Sequence, residues 1–327
     1  MDQPTLFGPE TTSSTPSPES SMSLGLSQPA RQTIRSSLIV AATGLGKTVK
    51  MALLANHWAV GRVMMLSHRF ELNQQALKTF ENVCGEPVDL EQASYHADRY
   101  EKSRIVVASV QTLNSRRKGR LRMEKFDPDD FGLVMVDEAH RATAATYRRV
   151  FDHFSCNPDC KFVGVTATPD RLDGAGLGFV FESVACDYNI AWGIKHGWLV
   201  EPAQKFVRID GLDLTQVRTV GGDLDEKQLA RVVELEQNLH AMAAPIVDLA
   251  GTTKQAIVFT ASVAQARRLA ELIRDYSGHD SAICIDGSMS PQDPTRMAMI
   301  EDFRAGRYQF FVNCGVATEG FNCPDVD

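Results

Sequence analysis

The chain has 327 residues, of which 43% are hydrophobic and 23% are charged, and its formal net charge is −7. These averages exclude a fibrous protein, and no apolar run reaches the ~18 residues that cross a membrane. Because the chain as a whole is acidic, any contact with nucleic acid must come from local basic segments. The seven scattered cysteines are typical of reduced thiols. We therefore expect a soluble intracellular protein with two globular domains.

The first 35 residues are rich in Ser, Thr, Pro and Gln and contain few large apolar side chains. Such a composition predicts a disordered tail. Gln3, Leu6 and Phe7 stand in the order Gln-x-x-Leu-Phe. This order resembles the bacterial peptide that binds the sliding clamp, in which a Leu-Phe pair fills an apolar pocket. The alternative is an ordinary disordered terminus.

Five apolar runs follow the tail and alternate with helical patterns: SLIVAAT, RVMMLSH, RIVVASV, FGLVMVDEA and KFVGVTAT. Continuous apolar runs indicate strands that are covered on both faces. The sequence therefore predicts an α/β domain over residues 36–205, with a mostly parallel sheet and helices on each side.

A polar stretch over residues 206–245 interrupts this alternation and predicts a linker with a helix. The βα pattern returns over residues 246–327, with three strands in QAIVFTAS, SAICID and YQFFVNCGV. Because open α/β sheets usually contain five or six strands, we expect this second domain to be incomplete.

A glycine-rich segment, Thr43-Gly44-Leu45-Gly46-Lys47-Thr48, lies between the first strand and a helical pattern. This is the context of a phosphate-binding P-loop. The two glycines let backbone N–H groups face the phosphates, Lys47 reaches the β- and γ-phosphate oxygens, and Thr48 supplies an oxygen to Mg²⁺. Ala41 replaces the usual first glycine, but the Gly-Lys-Thr core is intact.

A second acidic site follows the apolar run LVMV, which ends at Asp137 and Glu138. Ligands of open α/β sheets collect at the carboxyl ends of the strands. We expect Asp137 to hold Mg²⁺ together with Thr48, and Glu138 to orient and polarise the attacking water.

The segment Asp137-Glu138-Ala139-His140 resembles the DEAH box of superfamily 2 helicases and translocases, and further family motifs occur in order. LSHRFELNQQ is similar to motif Ia, ASVQTL to motif Ib, TATPDR to motif III, IVFTAS to motif IV and GVATEGFNCPDVD to motif V. The chain looks most like bacterial RadD-type DNA repair helicases and the motor subunits of restriction enzymes. This resemblance implies two RecA-like domains with ATP and Mg²⁺ between them, a strand of nucleic acid crossing both, and a bacterial cytoplasm as the location, whether the gene is bacterial or carried by a phage.

The resemblance also assigns roles to individual residues. His140 would link the DEAH box to its neighbouring motifs, Thr166 and Thr168 would couple the ATP site to the strand, and Glu319 and Gly320 would lie at the ATP cleft. The residues placed along the nucleic-acid groove are His68, Arg69, Gln111, Thr112 and Thr318. Such contacts to the backbone are independent of sequence and sensitive to salt.

A basic cluster, NSRRKGRLR, follows motif Ib directly. Arg116, Arg117 and Lys118 are candidates for phosphate contacts because of this position. The alternative is a solvated surface loop.

Two family features are missing between Met1 and Asp327. The glutamine that reads adenine has no clear counterpart, although Gln28 or Gln32 could serve, and motif VI, whose arginines reach the γ-phosphate, does not occur. We expect an ATP-dependent nucleic-acid helicase or translocase, acting on DNA, that is truncated and turns ATP over weakly unless another chain supplies motif VI. The alternatives are an ATP- and nucleic-acid-binding module with little turnover, and the motor part of a restriction system.

Overall fold

The computed structural model describes residues 34–68, 70–97, 103–117, 119–169, 176–278, 280–290, 293–316, 323 and 326. Two sheets organise this part of the chain, and we call each sheet with its helices a lobe. The elements of the first lobe, in chain order, are β1 (Ser36–Ala41), α1 (Lys47–His57), β2 (Arg62–Ser67), α2 (Phe70–Cys84), β3 (Val88–Glu91), β4 (Ile105–Ser109), α3 (Val110–Leu113), β5 (Arg116–Arg117), β6 (Arg120–Leu121), β7 (Phe131–Asp137), α4 (Ala145–Phe154), β8 (Lys161–Thr166), β9 (Ser183–Tyr188) and α5 (Ile190–Lys195).

Seven strands form the first sheet in the order β3-β4-β2-β7-β8-β1-β9, and every pair is parallel. The five strands predicted from apolar runs are β1, β2, β4, β7 and β8, and they occupy the interior of this sheet. The predicted mostly parallel α/β fold is confirmed.

The two edge strands, β3 and β9, were not predicted. Their sequences, VDLE and SVACDY, mix polar and apolar residues because each strand has a neighbour on one side only. Val184, in β9, is 60% exposed. Edge strands of this kind lack the continuous apolar run on which the prediction rested.

Each face of the first sheet carries its own core. On one face, Met51 of α1 and Phe80 of α2 pack against Val63 and Met65 of β2. On the other, Phe154 of α4 packs with Phe131, and their rings meet edge to face at 5.1 Å. Burial on both faces explains why the interior strands are apolar at successive positions.

The second lobe follows a segment, residues 199–216, without helix or strand. Its elements are β10 (Thr219–Val220), β11 (Asp223–Leu224), α6 (Glu226–Val233), α7 (Glu236–Ala250), β12 (Ala256–Phe259), α8 (Val263–Ser277), β13 (Ala282–Asp286), α9 (Pro294–Arg304) and β14 (Phe310–Cys314). Strands β12, β14 and β13 form a parallel sheet in that order, as the three predicted strands require.

Helix α7 begins within the segment predicted as a connection and continues to Ala250. Its Leu239 and Ala243 are buried against Leu269 and Ile273 of α8. The predicted helix of the connection therefore contributes to the core of the second lobe.

The structure also bears on the cysteines and on membrane insertion. The seven cysteines are free thiols, and burial raises the pKa of the Cys160 thiol to about 11. Among the described residues, no helix combines the length and apolarity needed to cross a bilayer.

Candidate nucleotide and nucleic-acid site

The P-loop connects the end of β1 to the start of α1. Gly44 and Gly46 have φ values of 86° and 67°, in the left-handed region that favours glycine. Helix α1 begins at Lys47 with no side-chain cap and no acidic residue in its first turn. The free N–H groups and the positive end of the helix dipole are therefore available to an anion, as a phosphate-binding loop requires.

A segment that the sequence reasoning missed supports this loop. Tyr188, at the end of β9, accepts a hydrogen bond of 2.9 Å from the backbone N–H of Ala42. Leu199 lies so close to Gly44 that a Cβ added there would be 2.8 Å from Leu199 Cδ2. The backbone conformation requires glycine at position 44, and a larger residue there would also force the Leu199 side chain to shift. Gly44 and Leu199 are 155 positions apart, and no sequence signal links them. The order of the strands brings them together.

The DEAH segment follows β7 at the same edge of the sheet. Asp137 is the last residue of β7 and is only 5% exposed, and Glu138 is 8% exposed. Glu138 has a φ of 50°, although it is not a glycine. Such strained backbone occurs preferentially at functional sites. The carboxylate of Glu138 faces Lys47 of the P-loop.

Contacts join the DEAH segment to the P-loop and to motif III. Glu138 Oε1 lies 3.5 Å from Lys47 Nζ, and Glu138 Oε2 lies 3.4 Å from His140 Nδ1. His140 Nδ1 is also 3.3 Å from Thr166 Oγ1, which accepts a bond of 3.2 Å from the backbone N–H of Thr168. Five predicted site residues, from Lys47 to Thr168, thus form one continuous series.

The order of the strands explains this series. Val40 pairs with Thr166 between β1 and β8, and Asp137 pairs with Val165 between β7 and β8. Strands β7, β8 and β1 are consecutive in the sheet, so their carboxyl ends bring the three motifs together. Gly164 lets them approach, since a Cβ there would lie 2.8 Å from the Cβ of Ala139.

The two carboxylates have different proton affinities because their charged and hydrogen-bonding neighbours differ. Burial, and then the charge of Glu138, raises the pKa of Asp137 to about 6. For Glu138 burial acts in the same direction, but the hydrogen bond from His140 and the charge of Lys47 outweigh it, so its pKa is lowered. A buried carboxylate pair that faces one lysine lacks positive charge, and this shortage fits a divalent cation held by Asp137 and Thr48 together with phosphate oxygens.

The raised pKa of Asp137 makes a prediction for stability. Its pKa rises from 3.8 to about 6 on folding, so the folded state binds this proton more tightly. Stability from this group is therefore fully present below pH ~4 and is lost as the pH rises through 6. Asp137→Asn, which stays neutral and can still accept the N–H of Glu138, should stabilise the metal-free protein at pH 8 by about 2–3 kcal/mol.

Urea unfolding in EDTA at pH 4, 6 and 8 measures this effect. Asp159→Asn, at an exposed aspartate, is the matched control. A gain in stability for Asp137→Asn that is equal at pH 4 and pH 8 would contradict the assigned cause.

Of the residues predicted for the nucleic-acid groove, His68, Gln111 and Thr112 follow strands that end at the same edge, beside the ATP motifs. Strands β2 and β4 are neighbours, and Ser67 pairs with Ser109 just before His68 and Gln111. His68 is half-buried and Gln111 is exposed. Thr112 is buried, and its hydroxyl accepts a hydrogen bond of 3.0 Å from the backbone N–H of Ala93.

Other predicted residues differ in accessibility. Thr166 is fully buried, so it cannot contact a nucleic-acid strand, although it can transmit a structural change from the ATP site. Thr168 is exposed. Arg116 and Arg117 are exposed on the hairpin of β5 and β6. The predicted residues that lie outside the described part of the chain are Gln3, Leu6, Phe7, Gln28, Gln32, Arg69, Lys118, Thr318, Glu319 and Gly320.

Two family models match the chain in tandem. The model "Type III restriction enzyme, res subunit" matches residues 20–171, which include the P-loop and the DEAH segment. The model "Helicase conserved C-terminal domain" matches residues 237–327. The chain is a superfamily 2 helicase-family protein. It is related to the motor subunits of restriction enzymes.

Named relatives agree with this family. The chain is 28% identical over 308 residues to the protein named "Putative ATP-dependent helicase IRC3" of Saccharomyces cerevisiae, and the match covers 88% of this chain and 42% of IRC3. It is 26% identical over 305 residues to the DNA 3'-5' helicase XPB of Mycobacterium tuberculosis, covering 89% and 50%. It is 25% identical over 255 residues to the EcoAI type I restriction endonuclease subunit of Escherichia coli, covering 71% and 30%. The chain thus spans about half or less of the length of these relatives.

Solved structures confirm the fold of this helicase-family protein. The helicase domain of Hef from Pyrococcus furiosus superposes with a TM-score of 0.53 at 16% identity, covering 90% of this chain and 85% of that one. Helicase Lhr of Mycobacterium smegmatis, bound to single-stranded DNA and AMP-PNP, superposes with a TM-score of 0.57 at 17% identity, covering 90% and 39%. These similarities support the RecA-like architecture of the two sheets.

Proposed function

We propose that this helicase-family chain is an ATP-dependent motor that moves along DNA or separates its strands. The observation that carries the proposal is the contact series from Lys47 through Glu138 and His140 to Thr166. It connects a loop suited to phosphates with motif III. A structural change at the γ-phosphate could therefore be transmitted through these contacts to motif III.

The first step is the binding of ATP at the P-loop. The uncapped start of α1 offers its N–H groups to the phosphates, and Lys47 supplies a positive charge beside them. Asp137 and Thr48 would hold Mg²⁺, which would neutralise charge on the phosphate oxygens. In the structure described, Lys47 faces Glu138 at 3.5 Å, so ATP phosphates would draw this lysine away from the carboxylate.

Glu138 then acts on the attacking water. Its lowered pKa keeps it ionised at neutral pH, so it can accept a hydrogen bond from water and orient it toward the γ-phosphate. The contact with His140 holds the Glu138 carboxylate in place. Because His140 also contacts Thr166, loss of the γ-phosphate would change the position of motif III.

The nucleic acid would lie along the carboxyl ends of β2 and β4. His68 and Gln111 are the accessible residues there, next to the ATP motifs along the same sheet edge. The names of two relatives, a DNA helicase and a restriction endonuclease subunit, support DNA as the substrate. Proteins that contact mainly the backbone bind with little sequence preference.

The test is the ATPase rate with and without DNA. We expect turnover to rise when single-stranded, forked or duplex DNA is added, and Lys47→Ala to abolish it. The Gly176→Ala variant is a control, since nothing lies within 4 Å of a Cβ at that position. ATP binding without any DNA-stimulated turnover would favour the alternative, a module that binds ATP and nucleic acid without acting as a motor.

A further inference from the structure

The basic segment after motif Ib is an ordered hairpin with exposed arginines. Strands β5 and β6 pair antiparallel, with Arg116 opposite Leu121 and Arg117 opposite Arg120, and Gly119 has the φ of 84° that the turn needs. From Arg116 to Lys125 the sequence carries six basic residues and one acidic residue, Glu124, in a chain whose net charge is −7.

The base of the hairpin is fixed to the first lobe. The backbone N–H of Arg122 donates to Ser115 O at 2.9 Å, and Ser115 Oγ donates to Thr112 O at 2.7 Å. Asn114 donates to the carbonyl oxygens of Val110 and Thr146 at 2.8 and 3.0 Å. The hairpin is thereby tied to α3, the helix that carries motif Ib.

A buried ionic group strengthens this base. Glu91 is fully buried and pairs with the side chains of both Arg122 and Lys125. Arg122 also donates to the carbonyl oxygens of Ala93 and Tyr95, each at 2.5 Å. A buried carboxylate with two cations holds its partners in a defined geometry, because losing either partner would leave an uncompensated charge. The hairpin therefore projects from a rigid support.

The tip of the hairpin carries a repulsive pair. Arg117 and Arg120 are directly opposite, so they share one face of the ribbon with Cβ atoms roughly 4.5–5.5 Å apart. Like charges in such a pair are destabilising. Among the described residues, no carboxylate forms an ion pair with either guanidinium group, so none of these residues offsets the repulsion. An anion bound between the two guanidinium groups would offset the repulsion.

Exposed arginines occur on both faces of the ribbon, and Arg116 Nη1 donates to the carbonyl oxygen of Gly119 at 3.2 Å. Successive residues of a strand alternate faces, so Arg116 lies on the face opposite Arg117 and Arg120. Phosphates on two sides of the hairpin could therefore be contacted at once. A duplex groove presents two backbones in this way, whereas a single strand presents one. The B-DNA major groove, about 12 Å wide, admits a two-stranded ribbon.

The hairpin lacks the side chains that would split base pairs. Elements that stack on unpaired bases use aromatic side chains, and the segment Asn114–Arg122 contains none.

We propose that the hairpin of β5 and β6 is a duplex-binding element, in which Arg116, Arg117 and Arg120 contact the phosphates of both backbones next to motif Ib. The inference rests on the proposed function, because it assumes that the chain binds DNA. It adds that the duplex, and not only a single strand, is held by the first lobe.

The test compares the triple variant Arg116→Gln, Arg117→Gln and Arg120→Gln with the unchanged protein. Fluorescence anisotropy would measure the affinity for a labelled duplex of 20 base pairs and for a single strand of 20 nucleotides. The measurements would be made without ATP, between 50 and 200 mM salt. We expect the variant to bind the duplex about tenfold more weakly or worse at the low salt concentration. The slope of log affinity against log salt should fall by roughly 2 to 3 for the duplex, while single-strand affinity changes less than threefold.

The control variant combines Lys254→Gln with Arg307→Gln. Both residues precede strands, so they lie at the amino edge of the second sheet, opposite the edge where ligands collect. This variant removes two charges yet should bind duplex like the unchanged protein. The triple variant should also be at least as thermally stable as the unchanged protein, since it removes a like-charge pair, and its ATP affinity should not change.

Each remaining outcome is decisive. Equal duplex affinity of the triple variant and the unchanged protein would overturn the inference and leave the proposed function standing. Equal losses on duplex and single strand would overturn the assignment to duplex. If the unchanged protein binds neither form of DNA, the proposed function fails, and the inference fails with it.

Discussion

Lys47→Ala should weaken the binding of Mg·ATP by about 10- to 150-fold, whereas Glu138→Gln should leave it unchanged or make it tighter. A hydrogen bond to a charged group contributes about 1.5–3 kcal/mol, and Lys47 is the basic residue at the start of α1. Glu138 instead competes with the phosphates for that lysine, at 3.5 Å. Isothermal titration calorimetry with a non-hydrolysable ATP analogue would measure both affinities.

The same two variants should behave alike in hydrolysis. Removing a positioned base costs about 10²- to 10⁴-fold in rate, so Glu138→Gln should bind ATP and fail to release phosphate. Single-turnover assays with enzyme in excess would measure the loss of hydrolysis in both variants relative to the unchanged protein, even when turnover is slow. Weak ATP binding by Glu138→Gln would contradict the competition described here and would show that the carboxylate holds Lys47 in its productive position.

Gly132→Ala should destabilise the first lobe by about 3 kcal/mol, the largest effect on stability that we expect from any single added methyl group. A Cβ at position 132 would lie 1.9 Å from the carbonyl oxygen of Val60 and 3.0 Å from Trp58 Nε1. The oxygen belongs to the backbone, so rotation of a side chain cannot relieve the clash. Strand β7 would have to move, and Asp137 at its end would move with it.

Thermal unfolding followed by circular dichroism would measure the effect. For a lobe of this size, ~3 kcal/mol lowers the midpoint by roughly 6–12 °C. Gly178→Ala is the matched control, because it lies in the same lobe, is exposed and has nothing within 4 Å of an added Cβ. An equal midpoint for the two variants would show that the sheet absorbs the methyl group without strain.

The strain at Glu138 and the burial of Asp137 belong to one compromise. The backbone of Glu138 has a φ of 50°, and burial raises the pKa of Asp137 to about 6. Both features cost stability, yet both place a carboxylate at the P-loop. Active sites often carry such costs because the geometry needed for chemistry differs from the most stable one.

The segment that leads from the first lobe to the second begins beside the P-loop. Residues 199–216 contain no helix or strand, and Leu199, at their start, contacts Gly44 of the P-loop. A change in this loop would therefore act directly on the segment that leads to the second lobe. Residues 206–216 belong to the predicted linker, but Leu199 and Tyr188 were not predicted to support the P-loop, since neither belongs to a short motif.

The sequence by itself determined the parts that depend on local chemistry. Gly44 and Gly46 are needed for left-handed backbone, Lys47 begins a helix, and Asp137 ends a strand that is apolar because both of its faces are covered. These requirements act within a few residues of one another. The P-loop, the DEAH segment and the parallel α/β fold could therefore be predicted from the order of residues alone.

Only the tertiary structure decided which distant groups meet. The strand order places Thr166 beside the P-loop, burial removes Thr112 and Thr166 from solvent, and the pairing of Glu91 with Arg122 fixes the basic hairpin. Contacts of this kind depend on how whole elements pack, and the free energy of packing is spread over many side chains far apart in the sequence. A motif specifies its own backbone and chemistry, but its neighbours are set by the core on which it rests.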